Sequence, residues 1–159
     1  MKSTKYNVGW GFGLTSGVIT TLGLMIGLYS STFSKGIVLA GIFTVAIADA
    51  FSDALGMHVS QEAQNRHSVR SIWESTLATF ISKFGFALTF VVPVFLLPLN
   101  TAINVSVLWG LLILGIFSYF LAKKQKAPSL PVVSEHLVIA LVVITITHYL
   151  GDWIGKVFG

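Results

Sequence analysis

The chain has 159 residues, 54% of them hydrophobic and only 10% charged, with a mean hydropathy of +0.83. A soluble domain carries roughly 25% charged residues, so a water-soluble fold is excluded and an all-α, multi-pass membrane protein is expected. The net charge of +4 falls in short segments between long uncharged runs, which is a membrane pattern rather than a nucleic-acid-binding one, and the lack of cysteine excludes disulfides and thiolate metal sites.

Met1 to Asn7 is polar and basic, with Lys2 and Lys5, like the start of a signal peptide. The apolar segment that follows, about residues 8–31, is too long for a signal-peptide core and has no clear cleavage site, so it is read as a retained first span. Its glycines include two pairs four apart, Gly13 with Gly17 and Gly23 with Gly27, a spacing that lets another helix approach closely. Thr15, Ser16, Thr20 and Thr21 add hydroxyls, and Met25 is read as core filler. The turn from Ser30 to Lys35 is short, so the next span must run antiparallel beside the first.

Span two covers about residues 36–60 and carries no charge until Asp49 and Asp53. The two acids sit one helical turn apart, about 40° off in azimuth, and Met57 continues the stripe. An aspartate at mid-bilayer depth costs roughly 2.5–3.5 kcal/mol on insertion scales, so a chain that keeps two of them points to an ion or proton pathway. A polar run from Gln61 to Ser71 follows, with Glu62, Arg66, His67 and Arg70. Span three, about residues 74–97, holds the cation Lys83, and Pro93 and Pro98 kink or end it. Leu99 to Asn104 is read as an uncharged loop, and span four covers about residues 105–122 before Lys123, Lys124 and Lys126. Pro128 and Pro131 break the chain, and span five covers about residues 132–157. The whole of 1–159 is thus one transmembrane domain of five helices, each near the ~20 residues needed to cross.

Placing the N-terminus in the cytoplasm puts Lys2, Lys5, Arg66, Arg70, Lys123, Lys124 and Lys126 inside, against Lys35 and Lys156 outside. That positive-inside bias sets the expected orientation. Asp53 lies seven residues before Ser60 and Lys83 eight after Ser75. At ~1.5 Å per residue both are roughly 10–12 Å from the cytoplasmic end, which predicts an Asp53–Lys83 ion pair with Asp49 less compensated. A buried carboxyl that can trade a proton for a cation is what an antiporter needs. The competing readings are a static Asp–Lys–Asp triad that only ties helices together, and a Lys83 that snorkels to the interface.

Two further clusters are weaker candidates. His148 and Asp152 are one turn apart on span five, the spacing of a histidine oriented by a carboxylate, but beside Tyr149 and Trp153 they read first as interfacial anchors. His58 and Glu62, with His67 nearby, read as a solvated helix end before a weak divalent site. Nothing matches a closed zinc spacing or a catalytic motif, and aspartates on separate helices with flanking glycines, the mark of an intramembrane aspartyl protease, are absent; no enzyme is expected.

The first span, GLTSGVITTLGLMIGL, followed by LAGIFTVAIADAFSDALGMHVSQEAQ, resembles the vacuolar iron transporter family. Ala40, Gly41, Ala48, Ala50, Ser52, Gly56 and Ser60 fall on matching positions of that family's second helix, and VVPVFLLPL is similar to its proline-containing third. The departures are specific. Phe12 stands where the family has an acid on helix one; Asp53 and Met57 stand where it has a methionine and a glutamate; Asp49 replaces a glycine; and the connection between spans two and three has no room for the glutamate-rich metal-gathering domain of the plant and fungal members. The resemblance implies a five-helix homodimer, its interface formed mainly by the first helices with the cation path near it. The expectation is a proton-coupled transporter of divalent cations, Fe²⁺ or Mn²⁺, in a prokaryotic cell membrane. Asp49, Asp53 and Met57 would be its ligands and Lys83 the charge partner that competes with the metal. The metal is substrate, and no bound cofactor is expected. The alternative is a non-transporting structural or assembly protein.

Overall fold

The computed structural model describes residues 3–158, and side chains from residue 8 onward. It is helical throughout, with α1 Ser3–Thr32, α2 Lys35–Ala63, α3 Val69–Thr89, α4 Val91–Leu96, α5 Leu99–Gln125 and α6 Ser129–Phe158. Taking α3 and α4 together as one broken span, five helices are long and apolar enough to cross a membrane.

Local chemistry explains where the helices start and stop. Ser34 and Ser68 cap α2 and α3, accepting from Ile37 N and Ser71 N. The third span breaks between Thr89 and Phe90, four residues before Pro93, whose ring clashes with the carbonyl at that offset and whose nitrogen has no hydrogen to give it. Lys35 Nζ, reaching across from α2, donates to the freed carbonyls of Phe95 and Leu97 at 3.0 Å each. The segment Leu99–Asn104, expected as a loop, is instead the start of α5: Pro98 ends the preceding turn, and its carbonyl accepts from Ala102 N at 2.9 Å. Pro131 does not break α6 either, because it lies in the first turn, where a proline's missing donor costs nothing. Lys126 closes α5 in a left-handed conformation, φ 55°.

Side-chain pairings give the helix directions. Gly9 approaches Ser75 and Gly17 approaches Lys83, so α1 and α3 run parallel. Gly23 meets Val143 and Gly151 meets Gly27, so α6 is parallel to α1 as well. Ser16 bonds Asp53 while Leu28 packs on Gly41, and Gly11 meets Phe117 while Leu22 packs on Gly110, so α2 and α5 run the other way. Arg66, Arg70, Lys123, Lys124 and Lys126 therefore share one end of the molecule, here called the hairpin end, while Lys35 and Lys156 lie at the other. Lys2 and the side chain of Lys5 lie outside what the structure describes.

α1 is the central helix and packs on α2, α3, α5 and α6. Both of its glycine pairs are used inside the protomer, one against α3 and one against α6. A Cβ at Gly13 would collide with Ser82 Oγ and stand 2.5 Å from the Thr79 carbonyl. In a bilayer, where apolar area gains nothing by moving from lipid to protein, such close backbone packing is the main source of helix association. The half of the bundle away from the hairpin end is an apolar plug of Met25, Ile26, Val38, Ile42, Phe90 and Val94. Met25 is fully buried there as filler.

Candidate functional site

In the other half of the bundle, α1, α2 and α3 meet around one buried ammonium. Lys83 is carried by α3 at the level where Gly17 lets α1 lie on its backbone, a Cβ at Gly17 falling 3.0 Å from the Lys83 carbonyl. With α1 this close, the lysine side chain ends between α1 and α2, at Ser16, Asp49 and Asp53. Its side chain is only 2% exposed, so it does not snorkel. Nζ is ion-paired to Asp53 and donates to Ser16 Oγ at 2.8 Å. Ser16 Oγ in turn donates to Asp53 Oδ2 at 2.6 Å.

The expected Asp53–Lys83 pair is therefore present, but Asp49 is not left aside: its Oδ2 lies 2.6 Å from the same Nζ. The two carboxylates share one ammonium because the stripe on α2 offers both to the same point of α3. The contacts are not equivalent. The one to Asp49 is an ion pair by distance without hydrogen-bond alignment, which leaves Asp49 Oδ2 buried with no directed donor. With both carboxylates ionised the cluster carries one negative charge in excess. The Asp49 and Asp53 side chains remain 30% and 21% exposed, whereas Lys83 is sealed. Ser52 and Gly56, their neighbours on α2, are exposed as well.

Met57 continues the stripe, half-buried, and its sulfur accepts from Gln61 Nε2 at 3.6 Å. Phe12, where the resembled family has its helix-one acid, is exposed one turn before Ser16. The carboxylates here come from α2 alone, and α1 contributes a hydroxyl.

Neither secondary cluster forms. His148 Nδ1 is bonded to Ser30 Oγ at 2.7 Å, and Asp152 pairs with Lys156 at 2.6 Å instead of with the histidine. His58 Nδ1 is bonded to Thr76 Oγ1 at 3.0 Å and stands edge-on to Trp73, while Glu62 is exposed. Among the described residues no three histidine or acidic side chains come together as metal ligands, so any cation at the acidic pair must also use neutral ligands or water.

Sequence reasoning missed two members of this region. Ser16 was one of four hydroxyls on the first span, and only the position of Gly17 against Lys83 singles it out. Gln61 was read as the start of the polar run, yet it continues the Asp49, Asp53, Met57 spacing by one further turn and is 7% exposed. No protein-family model matches the chain, and no curated protein matches it.

Proposed function

We propose that this chain is a proton-coupled membrane transporter of divalent metal cations, Fe²⁺ or Mn²⁺, working as a homodimer in a prokaryotic cell membrane. One observation carries the reading. Two carboxylates on a membrane-spanning helix share a single buried ammonium, and both stay partly exposed while it is sealed. A cluster built only to hold helices together gains by sealing its charges, since a carboxylate left facing hydrocarbon costs several kcal/mol. An exposed, under-compensated carboxyl pair instead suits exchange of protons for a cation. The apolar plug beyond Ile42 fits a site reached from one side at a time.

The homodimer follows from the same cost. The face of α2 beside the acids carries Ala40, Thr44, Ala48, Ser52, Gly56 and Ser60, small residues four apart and all exposed. A second copy laid against this face would cover the carboxylates, and small residues at that spacing permit close approach. Because α1 is engaged on several sides within its own protomer, α2 would supply much of the interface.

The alternative, a structural membrane protein, is favoured by the closed Ser16–Asp53–Lys83 network linking three helices. Uptake by the purified chain in liposomes separates the two. Mn²⁺ or Fe²⁺ entry with counter-movement of protons is expected, and Asp49→Asn should abolish it while the protein stays folded. No flux of either ion from folded dimeric protein would refute transport.

A further inference from the structure

An apolar groove of about 500 Å³ lies between α5 and α6 and shares no residue with the acidic pair. Leu112, Ile116, Tyr119 and Phe120 line it on α5, and Leu137 lines it on α6. Gly115 leaves the gap open, since the nearest atom to a Cβ built there is Leu137 Cδ2 at 4.0 Å. The walls are almost wholly carbon, so in a bilayer the groove fills with hydrocarbon and not with water. From Leu112 to Phe120 it runs roughly 12 Å along the helix, close to the depth of one leaflet of a ~30 Å hydrocarbon core.

The groove is positive where it meets the hairpin end. Lys123, one turn beyond Tyr119, holds its Nζ 4.7 Å from the centre of the Tyr119 ring. That cation–π contact keeps an ammonium over a side chain of the groove wall. Lys124 and Lys126 follow, both exposed. Among the described residues no acid lies within ion-pair distance of any of the three. α6 begins at Ser129, just after Lys126, and its first turn holds no acid, so the positive end of its dipole adds to the same field. A second apolar groove, between α2 and α3 beside Phe51 and Phe80, lacks this free charge, because Arg70 near its mouth is already paired with Glu74 at 3.0 Å.

We propose that the α5–α6 groove binds one anionic phospholipid of the surrounding leaflet. Its acyl chain would lie along Leu112, Ile116 and Phe120, and its phosphate among Lys123, Lys124 and Lys126. A soluble anion could use the lysines but not the groove. A zwitterionic headgroup would bring its own cation to a corner where three ammoniums repel it. This binding is independent of the transport reading.

The test titrates the purified full-length chain, in neutral detergent, with phosphatidylglycerol or phosphatidylcholine of the same acyl chains, and counts bound lipid by native mass spectrometry. The wild type should bind one phosphatidylglycerol about tenfold more tightly than phosphatidylcholine. Replacing Lys123, Lys124 and Lys126 together by glutamine should erase that preference. Arg66→Gln with Arg70→Gln removes two charges from the same end of the molecule and should leave it intact. Gly115→Leu adds a good helix former whose Cβ meets nothing closer than 4.0 Å, so it should fold, fill the groove and lose the site for both lipids. Equal binding of the two lipids by the wild type, a preference that survives the triple lysine variant or is lost as fully in the arginine one, or a Gly115→Leu that binds like the wild type would each overturn the proposal. So would displacement of the lipid by an equal concentration of glycerol phosphate, the mark of a plain anion site. A disulfide-linked dimer formed by Ile116→Cys on mild oxidation would overturn it too, since a second copy would then cover this face. Failure of the transport reading is seen in flux alone and leaves these outcomes unchanged.

Discussion

Replacing Lys83 by alanine removes the one cation that Asp49 and Asp53 contact among the described residues, and the resulting loss can be sized from the geometry. Breaking a buried ion pair by removing one partner costs about 3–5 kcal/mol, because the remaining charge is left without compensation. Here two carboxylates lose the same partner, which pushes the cost up. Their exposures of 30% and 21% pull it down, since each can recruit water or a neighbouring group. Ser16 stays, and its hydroxyl still reaches Asp53 at 2.6 Å. The lower half of the range, about 3–4 kcal/mol, is the expected net loss. For a chain of this size 1 kcal/mol moves the unfolding midpoint by roughly 2–4 °C, so a fall of roughly 6–16 °C is expected. The assay is thermal unfolding of purified protein in detergent, followed by loss of the monodisperse peak. Adding Asp53→Asn to Lys83→Ala should recover part of the loss, because it removes the charge that Lys83 compensated most directly. A midpoint within about 2 °C of the wild type in Lys83→Ala, or a double variant less stable than the single, would refute the pairing as the tie between α2 and α3.

Two other outcomes test the packing and the assembly. The chain has no cysteine of its own, so Ser52→Cys is a clean probe of the open face of α2; it should form a disulfide-linked dimer on mild oxidation in membranes, while cysteine at Phe95, exposed on α4, should not. Equal cross-linking at both positions would mean random collision rather than a defined interface. Gly13→Ala places a methyl group against Ser82 and the Thr79 carbonyl, so α1 must back away from α3, at a cost of about 1–3 kcal/mol. The unfolding midpoint should fall with it, and an unchanged midpoint would show that the two helices are not in such close contact.

How much could be read before the structure depended on whether a signal was local. The long uncharged runs marked all five spans, because hydropathy needs no tertiary information. The Asp53–Lys83 level could be computed, because a short hairpin fixes the register of its two helices. The Leu99–Asn104 loop was misread because an uncharged, mildly polar segment after a proline suits a helix start as well as a loop, and only the Pro98–Ala102 bond decides. The reach of Lys83 to Asp49 as well as Asp53 was hidden for another reason. Helical spacing puts both acids on one stripe, but which of them a flexible lysine meets depends on how closely α1 presses on α3, and that is set by Gly13 and Gly17. Glycines announce close approach without naming the partner. The same limit applies to Gln61, since its burial comes from neighbouring helices, not from its own polar surroundings in sequence.

The charge balance of the site makes a last expectation. With one carboxyl protonated, the cluster of Asp49, Asp53 and Lys83 is neutral. A divalent cation that enters and expels that proton leaves one positive charge in excess, in a region where Lys83 is already sealed from water. Lys83 must then yield its place between the carboxylates to the metal, and its side chain, packed beside α1 at Gly17, has little room to do so. Entry of the metal is the step that Lys83 opposes in the proposed exchange. Arginine tests this, because its larger planar guanidinium can hold carboxylates through two parallel hydrogen bonds and is harder to displace. Lys83→Arg should preserve the pairing with Asp49 and Asp53 and much of the stability, yet lower Mn²⁺ uptake by tenfold or more, since each order of magnitude corresponds to only about 1.4 kcal/mol. The measurement is Mn²⁺ uptake and proton release in the same liposomes, using a pH dye inside. An arginine variant that transports at the wild-type rate would show that the cation at this position does not compete with the metal.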